Sequence, residues 1–513
     1  MTPTLPTRAT AAPRLVVCAP LPIEARALRR ALDPLLGADA VLRTGFLSRR
    51  NARCIEELLP EREFDAFAVA GLGGGVGDGV ASGDVVVASE VRGADRTVPC
   101  PSAPLLAGQL RRAGFTVHCG PLATRDHVVH GDEYGELART GVLAVDMESS
   151  RLACAARDRP LAAVRVIVDT PDEPLADWGT PRRGLHALRL LSELGPVLAG
   201  WAAAVGPRQA LLPAPRSFCA GVDRAIEIVE EALARHGPPV YVRKQIVHNT
   251  HVVADLQRRG AVFVDELDEV PPGALTVFSA HGVSPAVRAE AERGQLDVVD
   301  ATCPLVTKVH VEARRYTREE GTVLFIGHDG HEETEGTLGE APGRIALVET
   351  VEDAQRVTVP DPERVSYLMQ TTLSVEESTE IVAALRKRFP ALRGPRTDDI
   401  CYATTNRQAA LRAVAERADL VLVVGSANSS NSQRLVETAR RCGARAHLVD
   451  DAFDVDLDWL VEARTVGVTA GASAPPALVD EVLAALGGLG PLDVHEHRIA
   501  TESIRFSLPK EVS

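Results

Sequence analysis

After residue 240, eight short apolar runs alternate with helical patterns, and this alternation limits the fold more than any other feature. The runs are VYVRKQIV, GAVFVDEL, ALTVFSA, LDVVDA, GTVLFIG, RVSYLMQ, LVLVVG and RTVGVTAG. Strands separated by helices return in the same direction, so an α/β fold with parallel sheets is predicted. A similar series comes earlier. DAFAVAG, GDVVVAS and LAAVRVIVD read as strands and GLHALRLLSELGPVLAGWAAA as helix, ending near residue 206. Between the two series, GPRQALLPAP at 206–215 holds one Gly and three Pro and reads as a linker. A chain of 513 residues exceeds what one hydrophobic core serves. Residues 1–205 and 209–513 are therefore expected to form separate α/β domains.

Cysteine placement marks the second domain. The nine cysteines, at 18, 54, 100, 119, 154, 219, 303, 401 and 442, are odd in number, scattered and free of any CxxC pair. A secreted disulfide framework is not expected. Burial as a small apolar side chain is the ordinary fate of such a residue. Cys219, Cys303 and Cys401 differ because each opens a helical pattern: AGVDRAIEIVEEALARH, PLVTKVHVEARRY and YATTNRQAALRAVAER. Val222, Ile226, Val229 and Leu233 recur at helical spacing behind Cys219, and Pro304 suits a first helical position. The positive end of a helix lowers a thiol's pKa and favours the thiolate that metals need. The three lie 84 and 98 residues apart, each interval the size of a small lobe. Three lobes can thus bring one thiolate each to a common centre. Thiolates select zinc or iron–sulfur clusters, and a structural zinc takes four ligands at local spacing, which this set lacks. Three thiolates on a cubane leave one iron free to act as a Lewis acid. Spacing by itself leaves the buried-cysteine reading open.

Charge narrows the partners. The net charge is −14 and no basic block stands out, which argues against nucleic acid or an anionic membrane surface. An anionic small molecule would need a local site. The longest weakly polar run, Leu194–Gly206, falls short of the ~20 residues that cross a bilayer. The first residues, MTPTLPTRATAAPRLVVCAPLPIEARAL, offer no convincing cleavage site. A cytoplasmic protein is expected.

Nine strings surround the cysteines in order: PRSFCAGVDRAI, VRKQIVHN, FSAHGVSP, DATCPLVTKVH, IGHDGHEETEGT, MQTTLS, DDICYATTNRQ, GSANSSNSQRL and VTAGAS. Together they resemble the 4-hydroxy-3-methylbut-2-enyl diphosphate reductase family, from about residue 209 to the C-terminal IRFSLPKEV. That resemblance implies a trefoil of three α/β lobes around one 4Fe-4S cluster held by Cys219, Cys303 and Cys401, with an open iron for the substrate's hydroxyl. It implies the last step of the non-mevalonate isoprenoid pathway, in which the allylic hydroxyl is reductively removed to give isopentenyl and dimethylallyl diphosphate. His248, His281, His331, Thr371, Ser429, Ser430, Asn431 and Ser473 match the diphosphate contacts, and Glu333 matches the proton donor. The residue types suit these roles. The three histidines lie beyond predicted strand ends, where α/β sheets bind ligands, and imidazoles supply local positive charge. GSANSSNS offers hydroxyls, amides and a helix start for phosphate. Removing a hydroxyl as water needs a positioned acid.

Two departures from the family pattern are expected to be tolerated, since neither is expected to touch a site residue. Ser217 stands where Gly is usual, raising the question of whether its turn needs φ > 0. Glu332 and Thr334 replace the usual Pro and Val around Glu333, and the added carboxylate would raise the Glu333 pKa.

Residues from about 14 to 205 resemble the nucleoside phosphorylase and nucleosidase family, through APLPIEARAL, AGLGGG, GDVVVAS, AVDMESSRLA and VRVIVDT. The resemblance implies a three-layer α/β domain with Glu24 at the water or phosphate site, Glu148 on ribose hydroxyls and Asp169 as acid toward the purine. VLRTGFLSRRNA replaces a glycine-rich phosphate loop, so an inactive or regulatory domain is expected. AGLGGGVGDG does not fit GxGxxG, and no GxxxxGK occurs, so no nucleotide cofactor site is read. Electrons are expected from a separate ferredoxin or flavodoxin. The competing readings are an iron–sulfur sensor that does not react, and a nucleoside-cleaving enzyme.

Overall fold

A computed structural model describes residues 14–45, 63–319 and 321–512. Cα proximity divides the chain into two units. One is Met1–Ala210 with Asp451–Val466 and Asp480–Val494, and the other is Leu211–Asp450 with Gly467–Val479 and His495–Ser513. The stretch read as a linker is not one, because Arg208–Ala214 forms a largely buried strand. It pairs with Thr465–Ala470 and Leu492–Arg498 in a five-stranded sheet. Pro207 and Pro215 lie outside the strand, and only Pro213 within it lacks an N–H, a loss that a sheet tolerates where no ladder bond is required.

Unit 1 is built on an eight-stranded mixed sheet. Ala66–Gly75, Ala144–Asp146, Val117–Thr124, Val85–Arg92 and Leu161–Asp169 pair in a closed ring. Every residue of Leu161–Asp169 is buried, so it reads as a continuous apolar run instead of an alternation. Within this unit a helix, Ala103–Arg112, packs on the segment near Phe453. A Cβ on Gly108 would lie 1.9 Å from the Phe453 carbonyl oxygen, so only glycine permits that approach.

Among the described residues three further sheets lie wholly or mainly in unit 2. The first orders Ala261–Val264, Val240–Arg243, Leu275–Phe278 and Asp297–Asp300, all parallel. The second orders Ile345–Val348, Thr322–Ile326 and Val365–Met369, also parallel. The third is the five-stranded sheet, where Leu420–Val424 runs parallel to Arg445–Val449. Each sheet has its own buried core. Ile228, Val242 and Val277 belong to the first, Leu324, Val365 and Leu385 to the second, and Leu411, Val421 and Leu435 to the third. All eight expected runs are strands, and the fold is α/β throughout. Among the described residues no helix is long and apolar enough to cross a membrane.

Candidate active site

Each of the three cysteines caps a helix start, ahead of Ala220–His236, Pro304–Arg318 and Tyr402–Ala415. Their backbones tie the loops of unit 2 together. The N–H of Cys219 donates to the Ala472 carbonyl at 3.2 Å, that of Cys303 to Ala280 at 2.9 Å and that of Cys401 to Thr371 at 3.0 Å. All three side chains line one cavity. Gly221 keeps it open, since a Cβ there would lie 2.7 Å from Cys303 Sγ and 3.8 Å from Cys219 Sγ.

The expectation that helix starts lower these thiol pKa values is corrected. Burial pushes Cys303 up to about 12 and Cys401 up to about 11, outweighing the backbone N–H groups aimed at the sulfurs. Burial also raises Cys219, with the Arg407 charge opposing it. A bound cation is needed to stabilise thiolates in such a place. One ion would draw its ligand atoms to within a few ångströms of each other, given metal–sulfur bonds of about 2.3 Å. Among the described residues the three sulfurs are not a set within 4.8 Å, whereas donor atoms of His248, His281 and Glu332 are. The thiol geometry fits a multinuclear cluster.

His248, His281 and His331 follow the strands Val240–Arg243, Leu275–Phe278 and Thr322–Ile326, as expected, and all three line the cavity. The rings of His248 and His281 stack at 4.0 Å, and His331 stands edge-on to both at 5.2 and 5.9 Å. Glu333 lies in the first turn of the helix Glu332–Leu338 and is 1% exposed. Its Oε1 accepts the Thr371 N–H at 2.7 Å and its Oε2 accepts the Thr371 hydroxyl at 3.0 Å. Burial pushes its pKa up to about 6 despite those two bonds. Glu332 does not act on Glu333 as expected, and against expectation it touches a site residue. It turns to His281, with Oε2 at 2.9 Å from Nδ1, and accepts from the Ser279 hydroxyl at 3.3 Å.

The serine-rich loop reaches the cavity through Ser429, Ser430 and Asn431, and Ser473 of VTAGAS lines it as well. Ser429 caps the helix Ser430–Arg441, and the Ser473 hydroxyl donates to the His248 carbonyl at 2.9 Å. Asn431 Oδ1 accepts the Ala472 N–H at 2.9 Å. All the expected site residues of unit 2 therefore converge on one cavity. Sequence reading missed Thr372, Thr404, Tyr402 and Phe506, which line it too. Thr404 sits three residues into the helix begun by Cys401, with its hydroxyl 3.1 Å from that sulfur, a spacing that could have flagged it.

Ser217 does occupy the left-handed region, at φ 62, and is 4% exposed. That conformation costs a non-glycine residue about 1–3 kcal/mol, against about 0.5–1 kcal/mol of extra chain entropy for glycine. Ser217→Gly is expected to stabilise the protein by about 1 kcal/mol, and Ser217→Ala is not. Urea midpoints of both variants check this, and equal midpoints would refute the strain.

In unit 1 the expected carboxylates are buried. Glu24 accepts the N–H groups of Leu21 and Leu72 at 2.7 and 2.8 Å. Burial raises the pKa of Glu24, pushes Glu148 up to about 7 and raises Asp169, which accepts the Tyr134 hydroxyl at 3.0 Å. A fully buried pair, Arg165 with Asp146, anchors the loop that carries Glu148. Of VLRTGFLSRRNA, residues 46–52 lie outside the described residues.

Unit 2 is an α/β body whose cavity is lined by three thiols, three imidazoles and one buried carboxyl. A family model described as LytB protein matches residues 210–487, and one described as phosphorylase superfamily matches residues 30–192. The chain belongs to the LytB family. It is 60% identical over 308 residues to the 4-hydroxy-3-methylbut-2-enyl diphosphate reductase of Leifsonia xyli, covering 60% of this chain and 91% of the relative. It is 57% identical over 323 residues to such a reductase of Mycobacterium tuberculosis, covering 62% and 98%. The solved structure of the E-1-hydroxy-2-methyl-but-2-enyl-4-diphosphate reductase from Plasmodium falciparum aligns with a TM-score of 0.57 at 37% identity, covering 60% of this chain and 97% of that one.

Proposed function

We propose that the protein reductively removes the hydroxyl of (E)-4-hydroxy-3-methylbut-2-enyl diphosphate, giving isopentenyl and dimethylallyl diphosphate. Cys219, Cys303 and Cys401 would hold one 4Fe-4S cluster, which supplies electrons and an iron without a protein ligand as Lewis acid. The reaction consumes two electrons and two protons and releases water. Histidines 248, 281 and 331 and the side chains of Thr371, Ser429, Ser430, Asn431 and Ser473 bind and orient the diphosphate. Glu333 holds the proton that the leaving oxygen requires. Thr371 aims that carboxyl, and its burial keeps the proton on to a higher pH than for a solvated glutamate. The observation that carries the reading is this buried acid sharing one cavity with three thiols on three helix starts. Electrons come from a ferredoxin or flavodoxin, and the protein works in the cytoplasm.

The test is anaerobic. Cluster-loaded protein with a strong one-electron reductant should convert the hydroxylated diphosphate to both products. A loaded cluster without turnover would instead mark a sensor. Residues 1–205 are proposed as an inactive or regulatory domain joined to a reductase at 209–513. Release of base from nucleosides by the full chain, lost in Asp169→Asn, would overturn the inactive reading.

A further inference from the structure

The three imidazoles of the cavity are not equivalent. His331 Nδ1 accepts the Glu333 N–H at 3.1 Å, so this ring is neutral with its proton on Nε2. Burial lowers its pKa to about 3. Burial, reinforced by the two neighbouring rings, lowers that of His248 strongly, and His248 Nε2 is buried without a hydrogen-bond partner among the described residues. Among the described residues, His281 alone of the three meets a carboxylate, Glu332, at 2.9 Å. Burial disfavours the Glu332 charge, but the hydrogen bond and charge of His281 prevail and hold this acid ionised. An ionised carboxylate can only accept, so His281 Nδ1 carries a proton. His281 lines the cavity and Glu332 does not. The carboxylate thus acts through the ring.

The same donors could suggest a single-ion site. The rings of His248 and His281 lie 4.0 Å apart with only 19° between their planes, which sets their lone pairs side by side instead of converging. An anion explains the cluster better. A carboxylate repels a diphosphate, and the His281 ring, held at Nδ1 by Glu332, stands between that carboxylate and the cavity.

We propose that Glu332 is a positioning residue of the diphosphate site: by accepting the His281 Nδ1 proton it fixes the tautomer and orientation of that ring, the one of the three imidazoles backed by a carboxylate. This rests on reading the cavity as a diphosphate site. The groups facing His281 are His248, His331, Glu332 and Glu333.

Calorimetric titration of the anaerobic, cluster-loaded enzyme with inorganic diphosphate tests it. Glu332→Gln should weaken binding about tenfold, the equivalent of one charge-assisted hydrogen bond. The substrate KM should rise by the same factor, with kcat within about twofold and iron content unchanged. Glu332→Pro provides a second variant, because residue 332 is the first of its helix, where proline is accommodated. It should lose affinity alike. Diphosphate affinity within about twofold of the unaltered enzyme in both variants overturns the proposal, as does a fall in kcat with affinity intact. His281→Asn separates the two readings. If it weakens diphosphate binding and the Glu332 variants do not, only the role of Glu332 fails. If none of the three matters, the diphosphate reading of the cavity fails.

Discussion

Glu333→Gln should lower turnover about 10³-fold while cluster content and diphosphate affinity stay within about twofold, because general-acid catalysis contributes roughly 10²–10⁴. The amide keeps the shape of the side chain and can still accept the Thr371 N–H. What it loses is the transferable proton. The unaltered enzyme should also show a pH signature. Burial raises the Glu333 pKa from 4.5 to about 6, so its acid form persists up to about pH 6 and disappears as pH rises further. kcat/KM should therefore fall above about pH 6, and the residual activity of Glu333→Gln should lack that limb. Anaerobic steady-state kinetics across this range decides the matter. Full activity in the Gln variant, or a flat profile in the unaltered enzyme, would sink the acid role.

Much of this site was legible because its chemistry sits at positions that a sequence pattern marks. Cysteine ahead of a helical period and histidine beyond a β-branched run are local signals, and the fold places both where they were read. Strands were legible where they are buried on both faces, as in Leu420–Val424. Ile345–Val348 and Arg445–Val449 were missed, since they are partly exposed edge strands with little apolar continuity. Other features depend on groups distant in sequence. Glu332 reaches His281 across 51 residues, and the thiol environment depends on how deeply three separate loops are buried. The single break near residue 206 failed to anticipate that Asp451–Val466 and Asp480–Val494 fall in unit 1.

Arg407 is the clearest case of a residue without a local signal, and its loss should be the most damaging to the centre's assembly. It lies within a helix and is 1% exposed. Its guanidinium donates from Nε and Nη2 to the Ser217 carbonyl at 3.0 and 2.7 Å, and from Nη2 to Phe218 at 3.0 Å. Nη1 donates to the Ala403 carbonyl and to Glu502 at 3.1 Å each. One side chain therefore pins the strained turn before Cys219 to the helix begun by Cys401 and to the C-terminal tail. Arg407→Met would leave those carbonyls and a carboxylate without their donor, at a cost of about 3–5 kcal/mol, typical for breaking a buried charge pair. Arg407→Lys should recover only part of it, because an ammonium cannot reproduce the planar fork that spans three carbonyls. The expected result is a lower thermal midpoint and a lower iron-to-protein ratio after anaerobic reconstitution, both ordered Met below Lys below the unaltered protein. Ser217→Gly added to Arg407→Met should restore part of the iron content if relaxing that turn is how Arg407 acts. Unchanged iron content in Arg407→Met would show that the cysteine loops hold their places without the clamp.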